Sequence, residues 1–227
     1  MELFDEKEFG WRGLLNRLKF VPRTGWIKIG VPKEMVESVY SHIASTKDLV
    51  REYNSLYNLQ LNMEKMDKMI TIKELVKAYT KEEKSVISGA TSKEKNRNII
   101  LAIQQEFELP QEYVDIYDEY EAQQSKEAKY ALLFSKFESD LQVVQYYESG
   151  YITLEAVFKD VEYYPEEIKK KTLRLLEEYP IPPLAWLTYD STYYKGNELF
   201  ESLSNQLISY CIRKELLQKE SKGNALK

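Results

Sequence analysis

Histidine and cysteine are almost missing from this 227-residue chain, which has one of each, His42 and Cys211. A single cysteine cannot close a disulfide within the chain, so the expectation is a reducing, cytoplasmic setting. A single histidine excludes any metal site that needs two imidazoles from one chain. Cys211 has no Cys or His partner near it and reads as a core thiol rather than a ligand or nucleophile. Long apolar runs are absent too: no stretch approaches the ~18 residues of a membrane span. The opening MELFDEKEFGW lacks the basic and apolar segments of a secretory signal. Neither charge sign dominates, with 32 Lys and Arg against 37 Asp and Glu. The resulting net charge of −5 is spread along the chain, so a nucleic-acid partner has no electrostatic support. The expectations are therefore no nucleic acid and no membrane. The eight glycines form neither a phosphate loop nor a dinucleotide fingerprint. A Ser-His-Asp hydrolase would have to use His42, and no nucleophile-elbow motif supports one.

What is present is helical periodicity. Hydrophobic residues make up 43% and charged residues 30%, enough for a sizeable core under a solvated surface. Phe4, Phe9, Trp11, Leu14, Leu15 and Leu18 predict a short first helix, and Pro22, Gly25, Gly30 and Pro32 punctuate a turn region after it. Apolar spacing predicts helices from Lys33 to about Tyr57 and over Met63–Tyr79. A third starts beyond an N-cap at Ser92, a fourth at Pro110, and a long one, capped by Ser125, ends at Gly150. Residues 151–193 are shorter segments broken by Pro165, Pro180, Pro182 and Pro183, and a last helix covers about 196–218. Without a run of alternating residues, the fold class is all-α. Tyrosine is frequent at 18 and reads as core with polar edges. Adjacent acids such as Asp118-Glu119 and Glu177-Glu178 point different ways on a helix and read as solvated faces.

One corner stands out. KFVPRTGW, residues 19–26, sets Arg23 and Trp26 around a turn, which suggests a pocket wall for a planar, anionic ligand. It begins the stretch LKFVPRTGWIKIGVPKEMVESVYSHIA (18–44). With SKEKNRNIILAI (92–103) and YEAQQSKEAKYALLFSKFESDLQVVQYYE (120–148), this stretch resembles the 5′-deoxynucleotidase-like family of HD-domain phosphohydrolases over roughly residues 14–150. The resemblance implies an HD-domain-like helical bundle at 1–150, and the shorter helical segments of 151–227 are expected to form a C-terminal helical extension packed on it. It also implies one divalent metal held by a His, an adjacent His-Asp pair and a further Asp. Such a metal lowers the pKa of a bound water until it attacks phosphorus.

This sequence departs from that pattern at each ligand. Aligned through Arg-Thr-Gly-Trp and Ala44, the first His falls at Val39. The His-Asp pair falls at Lys73 and Glu74, the last Asp at Ser135, and an acidic residue three places beyond the pair at Lys77. His42 sits one turn past Val39. The expectation is a degenerate site with no catalytic residues, no metal and no cofactor. Lys73 and Lys77 share a helix face. With Arg23 and Trp26 they make a hypothetical ligand-binding set, two ammonium groups and a guanidinium for phosphate and an indole for stacking. Set against this, the lysines read as a solvated face, Arg23 as a helix-end cap and Trp26 as a core plug. Glu121 and Glu127 also match the family and read as structural, at helix starts that favour carboxylates.

Two functional readings follow. The first is a non-catalytic HD-like pseudoenzyme acting by protein–protein interaction or nucleotide sensing, with 151–193, including Trp186, as the candidate partner surface. The alternative is a metal-dependent 5′-nucleotidase or related phosphohydrolase with atypical ligands. The resemblance further implies a homodimer.

Overall fold

A computed structural model describes the backbone of residues 10–80 and 93–224, and the side chains of 10–76 and 94–217. Among the described residues the elements are helices. They are α1 (Trp11–Leu18), α2 (Gly25–Lys28), α3 (Val39–Leu56), α4 (Met63–Thr80), α5 (Lys93–Glu106) and α6 (Glu112–Ala122). There follow α7 (Lys126–Glu148), α8 (Leu154–Val161), α9 (Glu166–Glu178), α10 (Pro183–Tyr194) and α11 (Glu198–Asn224). The only extended pairing among these residues is an isolated antiparallel bridge between Pro22 and Ser38. The all-α expectation holds. Phe4, Phe9 and the expected cap Ser92 lie outside the described residues. α11 continues to Asn224 because Gln218, Lys219 and Glu220 contain no helix breaker.

The chain divides into two compact units, Met1–Gly25 with Lys33–Glu138, and Trp26–Pro32 with Ser139–Lys227. In the first, α4 packs against α1, α3, α5 and α6. Met66, Met69, Ile70, Ile72 and Leu75 are all buried, so this helix takes the centre. Each such side chain contributes roughly 1.5–3 kcal/mol by leaving water. In the second unit α10 packs between α9 and α11, and α8 lies against α9. Trp26 is buried there, stacked on Trp186 at 4.7 Å and edge-on to Tyr146 at 5.3 Å.

The helix expected from Lys33 begins six residues later. Lys33–Met35 makes a single 3-10 turn, and the chain is then drawn out along residues 21–23. The Arg23 amide donates to the Glu37 carbonyl at 3.0 Å and the Val39 amide to the Val21 carbonyl at 2.8 Å. Ser38, in an extended conformation, caps α3 by accepting from the Ser41 amide at 3.1 Å. This pairing sets Arg23 beside Glu37 and starts α3 so that His42 falls on its first full turn. At the other helix starts, Ser125 accepts from the Ala128 amide as expected. Glu127 lies in the first turn of α7 and accepts from the Asn62 amide at 3.1 Å. Glu121, read above as a helix start, lies instead in the last turn of α6, so a favourable dipole does not account for it.

Candidate functional site

Seven polar residues of the first unit converge in its interior. α4 carries Lys73 and Glu74, α3 carries His42, α7 carries Ser135 and Glu138, and the paired segments before α3 carry Arg23 and Glu37. Glu74, Glu138 and His42 are 4%, 4% and 1% exposed, and Ser135 is 8% exposed. An isolated charge at such depth costs several kcal/mol, so each must find a partner.

The partners form one continuous chain of contacts. The Arg23 guanidinium donates to Glu37 Oε1 at 2.5 Å and lies 3.8 Å from Glu138 Oε2. Glu138 Oε2 accepts a very short hydrogen bond from His42 Nδ1. On the other side of the ring, His42 Nε2 is 3.0 Å from Ser135 Oγ and 3.7 Å from Glu74 Oε1. Lys73 Nζ donates to Ser135 Oγ at 2.6 Å and makes a short ion pair with Glu74. These contacts suit a neutral imidazole protonated on Nδ1. With Nδ1 donating to the carboxylate, Nε2 is left to accept the Ser135 proton, while the Ser135 lone pair takes the Lys73 ammonium. Among the described residues, two cations face three carboxylates across one histidine and one hydroxyl. Burial alone would lower the Arg23 pKa, but Glu37, Glu138 and Glu74 together outweigh it and raise it, so the guanidinium is held charged.

Of the sequence-derived positions, Lys73, Glu74, Ser135 and Arg23 are thus brought together. Val39 is not among them: it is buried in the core of the first unit, and the imidazole that reaches the cluster is His42, one turn along α3. Trp26 belongs to the second unit, where Trp186 stacks on it. The Lys77 side chain lies outside the described residues. Glu37 and Glu138 were missed. Their signal was present in VESVYSH and SKFES, where Glu138 follows Ser135 by three and so shares its face. Glu37, His42 and Glu138 present three ligand atoms within 4.8 Å of one another, the kind of group that holds a cation. The cation beside them here is the Arg23 guanidinium.

A family model described as an HD domain matches residues 15–177, well over half of the chain. The chain belongs to the HD-domain family. A conserved hypothetical protein from Pyrococcus furiosus has a similar structure, with a TM-score of 0.51 and 23% identity over 73% of this chain and 94% of that one. This likeness speaks for the fold alone. No curated protein matches the chain. Among the described residues no helix of this HD domain is long and apolar enough to cross a membrane.

Proposed function

We propose that this HD domain has exchanged metal-dependent phosphohydrolysis for an internal ion-pair network and acts by binding, with a protein partner as its target. The observation that carries this reading is the Lys73 ammonium, held between Glu74 and Ser135 at 2.6 Å from the hydroxyl. The resemblance to the 5′-deoxynucleotidase-like family puts metal-ligand types at these three positions. A protonated amine has no lone pair to give a metal, and a neutral hydroxyl is a weak ligand. Arg23 adds a second fixed cation beside Glu37 and Glu138. Lys73 and Ser135 therefore do not fit the divalent metal that the resemblance would place at these positions. An ammonium can neutralise carboxylates, but it cannot generate a nucleophilic hydroxide as a metal does.

The same pairing argues against nucleotide sensing. Lys73 and Arg23 are both engaged by carboxylates, so an incoming phosphate would have to displace Glu74 or Glu37. That leaves the surfaces of the domain, including α8–α10 of residues 151–193, as the part that meets a partner. Phe158, Tyr163 and Tyr193 are exposed there, while most of α10 is buried packing.

The test is thermal unfolding with manganese and with nucleoside mono-, di- and triphosphates, each alone and together. A ligand that binds only the folded state raises the midpoint. The expected result is no shift with any of them, and a manganese-dependent shift in the variant Lys73→His with Ser135→Asp, which restores ligand types around His42 and Glu74. Release of phosphate from a deoxynucleoside monophosphate by the unaltered chain with manganese would overturn the reading. A shift with one nucleotide and no metal would turn it into nucleotide sensing.

A further inference from the structure

Ser135, His42 and Glu138 stand in the order nucleophile, base and base-orienting carboxylate. Ser135 Oγ is 3.0 Å from His42 Nε2, and His42 Nδ1 is bound to Glu138. Glu138 is three residues beyond Ser135 on α7, and the His42 ring from α3 fits between them. In the neutral ring with its proton on Nδ1 toward Glu138, the Nε2 lone pair faces the hydroxyl. That is the arrangement in which a histidine takes a serine proton. Two further groups support the charges that such a transfer creates. The Lys73 ammonium, 2.6 Å from Oγ, stabilises negative charge gathering on that oxygen. Glu74 Oε1, 3.7 Å from Nε2, faces the imidazolium that forms.

We infer that Ser135 is an activated nucleophile that accepts an acyl or phosphonyl group from a small activated donor, with His42 as its general base and Glu138 as the positioning residue. This goes beyond the binding role proposed above and does not depend on it, since no metal takes part. In the step, Ser135 Oγ attacks the carbonyl carbon of an aryl ester, or the phosphorus of a fluorophosphonate. The new Oγ–C or Oγ–P bond forms as the hydroxyl proton passes to His42 Nε2. The bond to the leaving group breaks, and phenolate or fluoride departs with the electron pair. Glu138 keeps its charge throughout and steadies the imidazolium. Ser135 is 8% exposed against 4% for Glu138 and 1% for His42, so the donor must be small enough to reach a nearly buried hydroxyl.

The experiment uses the full chain and an alkyl fluorophosphonate, read by intact mass and peptide mapping, with a reference serine hydrolase labelled alongside. The expected result is one adduct per chain, on Ser135. It should be absent from Ser135→Ala and slowed about 100-fold or more in His42→Ala, the usual range for loss of a general base. Glu138→Gln, nearly isosteric, should lower the maximal inactivation rate and leave the half-saturating probe concentration unchanged, a split that a merely structural role would not produce. Site mapping on the unaltered protein decides the matter even if a variant fails to fold. No adduct on Ser135 while the reference enzyme is labelled would overturn the inference. So would equal labelling in His42→Ala or in urea-unfolded chain.

Discussion

Lys73→Met removes the ammonium from the cluster and keeps most of the side-chain volume. The Lys73 and Glu74 side chains are only 6% and 5% exposed, so water screens little of their interaction. Without Lys73, the buried Glu74 keeps its charge and loses that short ion pair. Breaking a buried pair by removing one partner costs about 3–5 kcal/mol. For a chain of this length that is a fall of roughly 6–20 °C in the unfolding midpoint. The double variant Lys73→Met/Glu74→Gln removes both charges of the pair together. Replacing a buried pair by neutral groups is often close to neutral, so the double variant should recover most of the loss. Calorimetry and urea unfolding of the unaltered chain, both single variants and the double variant give the coupling directly. A Lys73→Met chain within about 1 kcal/mol of the parent, with no recovery in the double variant, would refute the account of Lys73 as the internal cation.

Three further outcomes follow from separate parts of the fold. Burial first, then the charge of Glu148, pushes the Cys211 thiol up to about 11. Folded chain should therefore react with iodoacetamide at pH 8 far more slowly than urea-unfolded chain, and the unfolded thiol, ionising first near its ordinary value, should make stability fall as pH rises between about 9 and 11. Ser38→Ala removes the acceptor that caps α3 and should cost about 1 kcal/mol, seen as a lower urea midpoint with an unchanged slope. Gly30 has φ +105°, and a Cβ there would come within 3.0 Å of the Tyr151 carbonyl. Gly30→Ala should thus destabilise the second unit by roughly 1–3 kcal/mol, measured by thermal unfolding.

Helix identity was legible in the sequence because α3, α4, α6 and α7 carry apolar residues at the helical period, and the cap at Ser125 could be read from residue type alone. The start of α3 was not. Lys33–Met35 does turn helically, and only the long-range pairing of residues 21–23 with 37–39 stretches the chain and delays the helix to Val39. No local propensity encodes a pairing between segments that far apart. That delay matters for the site, because it brings Arg23 to Glu37 and turns His42, rather than Val39, toward α4 and α7.

The cluster itself was half legible. Lys73, Glu74 and Ser135 could be named from the resemblance, but what they do together depends on reach. Neighbours in sequence leave a helix in different directions, which argues against an ion pair between Lys73 and Glu74. The four-carbon lysine stem overrides that rule, because the alternative for a side chain only 6% exposed is a poorly hydrated ammonium. Once the stem bends toward Glu74, its remaining donors can reach Ser135, whose hydroxyl lies 3.0 Å from His42 Nε2. Glu138 then follows from His42, whose second nitrogen also needs a buried partner. A single lysine in the central helix thus accounts for why a serine, a histidine and two glutamates stand together. It also means that a substitution at Lys73 should change the reactivity of Ser135 as well as the stability of the fold.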